Sequence, residues 1–107
     1  MARVDRSTHP DTQVQQILDI LTEYECAHPQ AQIEGRRHSP VSIRLRIIDP
    51  DFHGRDRIER EPEIWTLLQR LPEDVFVNIT MLLLLTPEEA EKSYASQEFE
   101  HPIPSRL

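Results

Sequence analysis

The chain has 107 residues, which fits one small domain, and 37% of them are hydrophobic, enough for one modest core. A domain of this size keeps about a third of its unfolded surface exposed after folding, which disfavours a deep catalytic pocket. The formal net charge of −7 disfavours tight nonspecific binding to nucleic acid, because neutralising phosphates requires clustered Lys and Arg. The composition therefore favours a domain that is not an enzyme.

Charge is spread unevenly along the chain. Residues 35–60 hold seven arginines and four acids, whereas the segments on either side are acidic. Cys26 is the one cysteine, which excludes an internal disulfide and a cysteine-only zinc site and fits a reducing compartment. No apolar run approaches the about 20 residues of a membrane span, and no leader opens the chain. We expect a cytoplasmic protein without membrane association.

The first predicted element is a helix. In the sequence THPD, residues 8–11, the threonine can act as N-cap and the proline fits the first turn. Apolar residues then recur at helical spacing up to Tyr24. We expect the helix to end near Ala27, because Pro29 follows just beyond it.

Two strands are predicted next. The sequence AQIEGRRHSP, residues 31–40, indicates a short strand that runs into a polar loop, with Gly35 at the turn. The sequence VSIRLRII, residues 41–48, alternates cleanly and predicts a half-buried strand with Val41 on its apolar side. The sequence DPD, residues 49–51, should end this strand.

A helix, a strand and a short helix are predicted in the second half. Helical spacing returns after Gly54, with Pro62 expected to break or restart the helix and Pro72 to stop it. The sequence DVFVNITMLLLL, residues 74–85, is the most apolar segment and predicts a central strand whose far end is buried on both faces. The sequence TPEE, residues 86–89, predicts a capping box that opens the last helix.

This order of elements predicts the fold class. Helix, strand, strand, helix, strand and helix suggest a two-layer α+β domain, with a three-stranded mixed sheet and helices on one face. We expect a flexible N-terminus at residues 1–7, the domain at 8–93 and a disordered C-terminal tail at 94–107.

The chain resembles the BolA family in its element order, in the loop DFHGRDRIER and in the exit of its last strand into TPEE. In BolA-like proteins a strand ends in a phenylalanine, one further residue and a glycine, and an arginine follows six positions later. The matching residues are Phe52, Gly54 and Arg60, followed by Ile64 and Trp65 as the aliphatic and aromatic pair and by Thr86, Pro87 and Glu88 as the final turn. The similarity covers roughly residues 8–92.

The resemblance implies a fold similar to KH domains with an added strand, and it implies no enzymatic activity. It also implies a monothiol glutaredoxin as protein partner in handling a shared [2Fe–2S] cluster. The family pattern has a ligand histidine directly after the arginine matched by Arg60, where this chain has Glu61, and a second ligand between the first two strands, matched by His38. Carboxylate is a poor ligand for iron–sulfur centres, so one of two expected ligands is missing.

Partner contacts are expected in the loops at residues 35–40 and 51–60. The candidate partner-binding or anion-binding residues are Arg36, Arg37, Phe52, Gly54, Arg55, Arg57 and Arg60. Backbone N–H groups at Gly54 and the guanidinium groups of Arg55 and Arg57 suit an anion or an acidic protein face. A purely structural interpretation stays open, in which Phe52 fills the edge of the core and Gly54 supplies a positive φ.

The alternative function is a nucleic-acid-binding transcriptional regulator, which the resemblance also implies. Its phosphate-binding stripe would consist of Arg36, Arg37, Arg44, Arg46, Arg55 and Arg57. A KH-type site needs a Gly-x-x-Gly loop, and the sequence GRDR has only the first glycine. The other alternative for the stripe is a solvated sheet face balanced by neighbouring acids.

Overall fold

The computed structural model describes residues 3–4 and 11–92. In chain order the elements are β1 (Arg3–Val4), α1 (Thr12–Ala27), β2 (Gln32–Ser39), β3 (Ser42–Ile48), a 3₁₀ turn (Pro50–Phe52), α2 (Arg57–Leu68), α3 (Glu73–Phe76), β4 (Ile79–Leu85) and α4 (Pro87–Lys92). The predicted order is confirmed, with β1 and α3 as additions. The predicted tail at 94–107 and most of the predicted flexible start at 1–7 lie outside the described residues. Within the described ranges, no helix combines the length and apolarity needed to cross a bilayer.

The strands form one mixed sheet in the order β1-β2-β3-β4. β2 and β3 form an antiparallel hairpin, whereas β1 is parallel to β2 and β4 is parallel to β3. Helices α1 and α2 pack on one face, which confirms the predicted two-layer α+β architecture. The residues buried between the layers include Val14, Ile17, Leu18, Leu21, Ile33, Ile43, Leu45, Ile47, Ile64 and Leu68. Each such side chain contributes about 1.5–3 kcal/mol by leaving water.

Strand β2 is longer than predicted. The residues after Gly35 stay in the strand up to Ser39, and the chain turns at Pro40 and Val41. A Cβ at position 35 would lie 3.1 Å from Val14 Cγ1, so glycine there permits close packing of α1 on the sheet and does not form the turn. Val41 is 70% exposed, so its predicted place on the apolar side of the strand is wrong.

Strand β4 starts later than predicted and lies at an edge of the sheet. The first residues of the apolar segment form α3, whose first turn carries Glu73 and Asp74, and acidic groups there stabilise a helix N-terminus. Leu82 and Leu84 share the core-facing side of β4, but of the β4 residues only Leu84 is buried, at 7% exposure. The predictions of a central strand and of burial on both faces are therefore wrong, because the apolar run borders a groove instead of a neighbouring strand.

The helix ends follow local hydrogen bonding. Asp11 caps α1 by accepting from the Val14 N–H at 3.1 Å, in place of the predicted Thr8, and α1 ends at Ala27 as predicted. Pro62 lies inside α2 and does not break it. Its missing N–H leaves only the carbonyl of Ile58 without its helical hydrogen bond. Ile58 is 81% exposed, so water can bind that carbonyl instead.

Candidate functional site

The loop between β3 and α2 is held by hydrogen bonds and by a buried aromatic ring. Asp49 Oδ1 accepts from the Asp51 N–H at 2.9 Å and opens the 3₁₀ turn. Phe52 is 1% exposed and its ring lies 6.3 Å from that of Tyr24. Gly54 has a φ of +79°, as its predicted turn role requires. The burial of Phe52 and the dihedral of Gly54 thus agree with the structural interpretation of both residues.

Arg60 connects this junction to β4 and α4. Its Nε donates to the Arg55 carbonyl at 2.7 Å, and its Nη1 donates to the Leu84 carbonyl at 2.9 Å and to Glu89 Oε1 at 2.7 Å. The guanidinium also lies 5.5 Å from the centroid of the Phe52 ring. These contacts engage the Arg60 guanidinium within the domain, so its role in the site is to hold the surrounding elements in place.

Glu89 completes the predicted capping box at the start of α4. Its Oε1 accepts from the Thr86 N–H at 2.8 Å, and its own N–H donates to Thr86 Oγ1 at 3.2 Å, which confirms the prediction. Hydrogen bonds from Arg60 and from the Thr86 backbone lower the pKa of Glu89 to about 2. The carboxylate therefore stays ionised at every physiological pH and keeps Arg60 in place.

A groove of about 410 Å³ runs between the edge of β4 and the start of α2. It is lined by residues 55–57, 60–61, 82–85 and 89, and we refer to it as the β4 groove. Its floor is leucine and its rim carries both charges, including Arg57, which is 82% exposed and 3.3 Å from Glu61. Arg55, Arg57 and Arg60, three of the predicted binding residues, thus meet in one concave surface.

The backbone of β4 presents open hydrogen-bonding groups to this groove. The Leu85 carbonyl accepts from the Asp49 N–H at 2.9 Å and so points towards β3, whereas the Leu84 carbonyl points outward to Arg60. Alternation along the strand then directs the N–H and C=O of Leu82 outward as well. Among the described residues, no strand pairs with this outer edge.

The remaining predicted arginines lie elsewhere. Arg37 forms two hydrogen bonds to the Asp11 carboxylate, at 2.7 and 3.1 Å, and so anchors the start of α1. Arg36 pairs with Arg44 across the hairpin, on the sheet face turned away from α1. Arg46 is 3% exposed and donates to Glu34 Oε1 at 2.6 Å. The other five arginines of the predicted stripe are divided among three surfaces, so a continuous stripe is wrong. Nucleic-acid binding stays a prediction without this support.

The predicted ligand pair is not brought together. His38 is exposed near the hairpin turn, with its Nε2 3.2 Å from Arg44 Nη2 on the open sheet face. Glu61 lies on α2, beside the opposite end of β4, where its Oε1 accepts from the Trp65 ring N–H at 2.9 Å. The two side chains lie at different ends and on different faces of the sheet, so they cannot share one cluster.

A second group of side chains, which the sequence did not reveal, lies where α1 ends. The His28 ring stacks on Tyr24 at 4.1 Å, and the Tyr24 hydroxyl donates to the buried Asp49 carboxylate at 2.5 Å. His28 Nδ1 is 2.9 Å from Asp51 Oδ2, and Nε2 is 3.4 Å from Glu63 Oε2. We call these five residues the His28 cluster.

The carboxylates of the His28 cluster stabilise a positive charge in their midst. Burial by itself lowers the pKa of His28, but hydrogen bonds to Asp51 and Glu63 outweigh it, so the net shift of this pKa is upward. Burial and the hydrogen bond to Asp49 raise the pKa of Tyr24, which keeps its proton on the hydroxyl. Three carboxylates thus surround one imidazole.

Two local signals point to this cluster in retrospect. Tyr24 and His28 are four residues apart at the end of an amphipathic helix, and two aspartates flank Pro50 directly after a strand. Only the packing of α1 against the 3₁₀ turn joins the two signals. Comparisons with protein-family models, with curated proteins and with solved structures found no match.

Proposed function

We propose that this protein is a non-enzymatic, BolA-like interaction module that binds an extended segment of a partner protein along the outer edge of β4. The observation that carries this function is the edge itself, where the outward N–H and C=O of Leu82 have no neighbouring strand among the described residues. An extended segment that adds to a sheet edge gains affinity from main-chain hydrogen bonds.

The surroundings of the edge define the chemistry of that segment. The leucine floor of the β4 groove favours apolar side chains on one side of the bound strand. Arg57 stands exposed at the rim and can pair with an acidic residue of the partner. Arg60 closes the far end by covering the Leu84 carbonyl, which limits pairing to the middle of β4.

A monothiol glutaredoxin is the first partner class to test. The resemblance to BolA-like proteins suggests it, and that resemblance rests on the order of helices and strands and on the positions of Phe52, Gly54 and Arg60. Ligation of a shared [2Fe–2S] cluster by His38 and Glu61 is not part of this function, because the two side chains lie apart. Any cluster would be held by the partner.

The test is a titration with a purified, cluster-loaded monothiol glutaredoxin, followed by calorimetry and native mass spectrometry. We expect a one-to-one complex that Arg57→Glu weakens by roughly tenfold, about 1.4 kcal/mol. The matched control is Arg70→Glu, because Arg70 is also exposed and also pairs with a glutamate, Glu23, away from the groove. Each variant places two like charges side by side, so their intrinsic effects on folding should be similar.

Three results would reject this function. The first is the absence of any complex in the titration. The second is a complex that the Arg57→Glu and Arg70→Glu variants weaken equally. The third is a dimer of the chain alone in sedimentation that Arg57→Glu dissociates, since a second copy would then occupy the groove.

A further inference from the structure

Three potential metal ligands converge in the His28 cluster. His28 Nδ1 lies 2.9 Å from Asp51 Oδ2 and 3.4 Å from Asp49 Oδ2, and one ligand atom of each residue lies within 4.8 Å of the other two. Ligands bound tetrahedrally at the usual zinc distances are about 3.4 Å apart. The two distances from His28 Nδ1, 2.9 and 3.4 Å, are therefore already near the spacing that one ion would require.

The second ring nitrogen of the histidine supplies an independent observation. His28 Nε2 lies 3.4 Å from Glu63 Oε2, on the side of the ring opposite to the aspartates. Histidine ligands in metal sites usually donate their other ring N–H to a carboxylate, which fixes the tautomer that leaves the first nitrogen free to bind. Glu63 stands in that position.

The inner carboxylate is also held in place. Asp49 is fully buried, with one oxygen bound by the Asp51 N–H and the other by the Tyr24 hydroxyl. A buried carboxylate in this setting is rigid, and a rigid ligand loses little freedom when an ion binds. Asp51, at 61% exposed, leaves a path from solvent to the ligand atoms.

The charges of the cluster leave room for a cation. Asp49, Asp51 and Glu63 bring three negative charges, against which the cluster itself offers only the imidazole of His28. The Arg55 guanidinium is directed elsewhere, because its Nη2 donates to the Glu59 carbonyl at 2.8 Å. A divalent ion between these groups would offset more of the negative charge than a proton does.

We propose that His28 Nδ1, Asp49 and Asp51 bind one divalent cation of the Zn²⁺ class, with Glu63 and Tyr24 as the outer residues that orient them. One imidazole and two carboxylates suit Zn²⁺, whereas Mg²⁺ and Ca²⁺ favour oxygen ligands alone. Three protein ligands leave a further position for water. This site is separate from the β4 groove, so either the cation site or the partner-binding function can be refuted without affecting the other.

The test is calorimetric titration of the chelator-treated full chain with Zn²⁺. We expect one ion per chain, lost in His28→Gln and Asp51→Asn but kept in the matched controls His53→Gln and Asp74→Asn, which change exposed residues outside the cluster. Glu63→Gln should weaken binding about 10–100-fold, as removal of an outer carboxylate does. Imidazole ¹⁵N spectra should show Zn²⁺ on Nδ1 of His28.

Asp51→Asn keeps the test valid if His28→Gln does not fold, because the Asp51 side chain is largely exposed. Circular dichroism of each variant checks the fold before titration. No stoichiometric binding of Zn²⁺ to the wild type overturns the site. Binding that survives both His28→Gln and Asp51→Asn, or a ¹⁵N shift at another histidine, also overturns it.

Discussion

Replacing Arg60 by methionine should destabilise the domain far more than its place at a groove suggests. The substitution removes hydrogen bonds to the carbonyls of Arg55 and Leu84 and to the Glu89 carboxylate. At about 1 kcal/mol for each of these three partners, the loss is roughly 3 kcal/mol. The ion pair itself adds little, because Glu89 is 46% exposed.

Urea denaturation measures this loss directly, and thermal unfolding should show it as a fall of about 12–24 °C in Tm for a domain of this size. Arg57→Met is the matched control on the same helix, since Arg57 has one ion pair at 3.3 Å and is mostly solvated. We expect it to change stability by less than about 0.5 kcal/mol. A loss below about 1 kcal/mol for Arg60→Met would refute the assignment of Arg60 as an internal connector.

Three further changes are expected to have defined effects on unfolding. Gly54→Ala should cost about 1–2 kcal/mol, because the φ of +79° disfavours a Cβ, and Gly54→Asn should cost less; equal losses in urea would contradict this. The lowered pKa of Glu89 stabilises the fold above its unfolded value of 4.5, and this contribution disappears as pH falls towards about 2. Between pH 4.5 and about 2, Glu89→Gln should therefore lose less unfolding free energy than the wild type, by a difference under about 1 kcal/mol. An unchanged profile would count against the pairing. Tyr24→Phe should cost about 1.5–3 kcal/mol, because the buried Asp49 loses a donor, and a variant as stable as the wild type would exclude that bond.

Periodicity predicted the layers of this fold well. The strict alternation of residues 42–48 and the helical spacing of residues 14–24 each follow from burial of one face, so both elements are correct. The errors lie where burial does not determine the backbone. Gly35 was expected to turn the chain, but it serves close packing against Val14, a contact between elements that no local pattern records.

The strand order explains the other differences. An apolar run such as residues 79–85 satisfies the pattern of a buried strand. Its position at the sheet edge, however, depends on where the connection through α2 and α3 places the strand beside β3. The His28 cluster likewise joins residues from α1, the 3₁₀ turn and α2 that are far apart in sequence. Its members carry ordinary local signals, and only tertiary packing gives them a shared geometry.

Amide hydrogen exchange along β4 tests the central claim most directly. In the free protein the outward N–H of Leu82 should exchange faster than the N–H of Leu83, which alternation directs towards β3. Adding the cluster-loaded glutaredoxin should slow exchange at Leu82 by at least about tenfold and leave Leu83 nearly unchanged. A Leu82 N–H that is already protected in the free protein, or that exchanges at the same rate in the complex, would contradict binding along this edge.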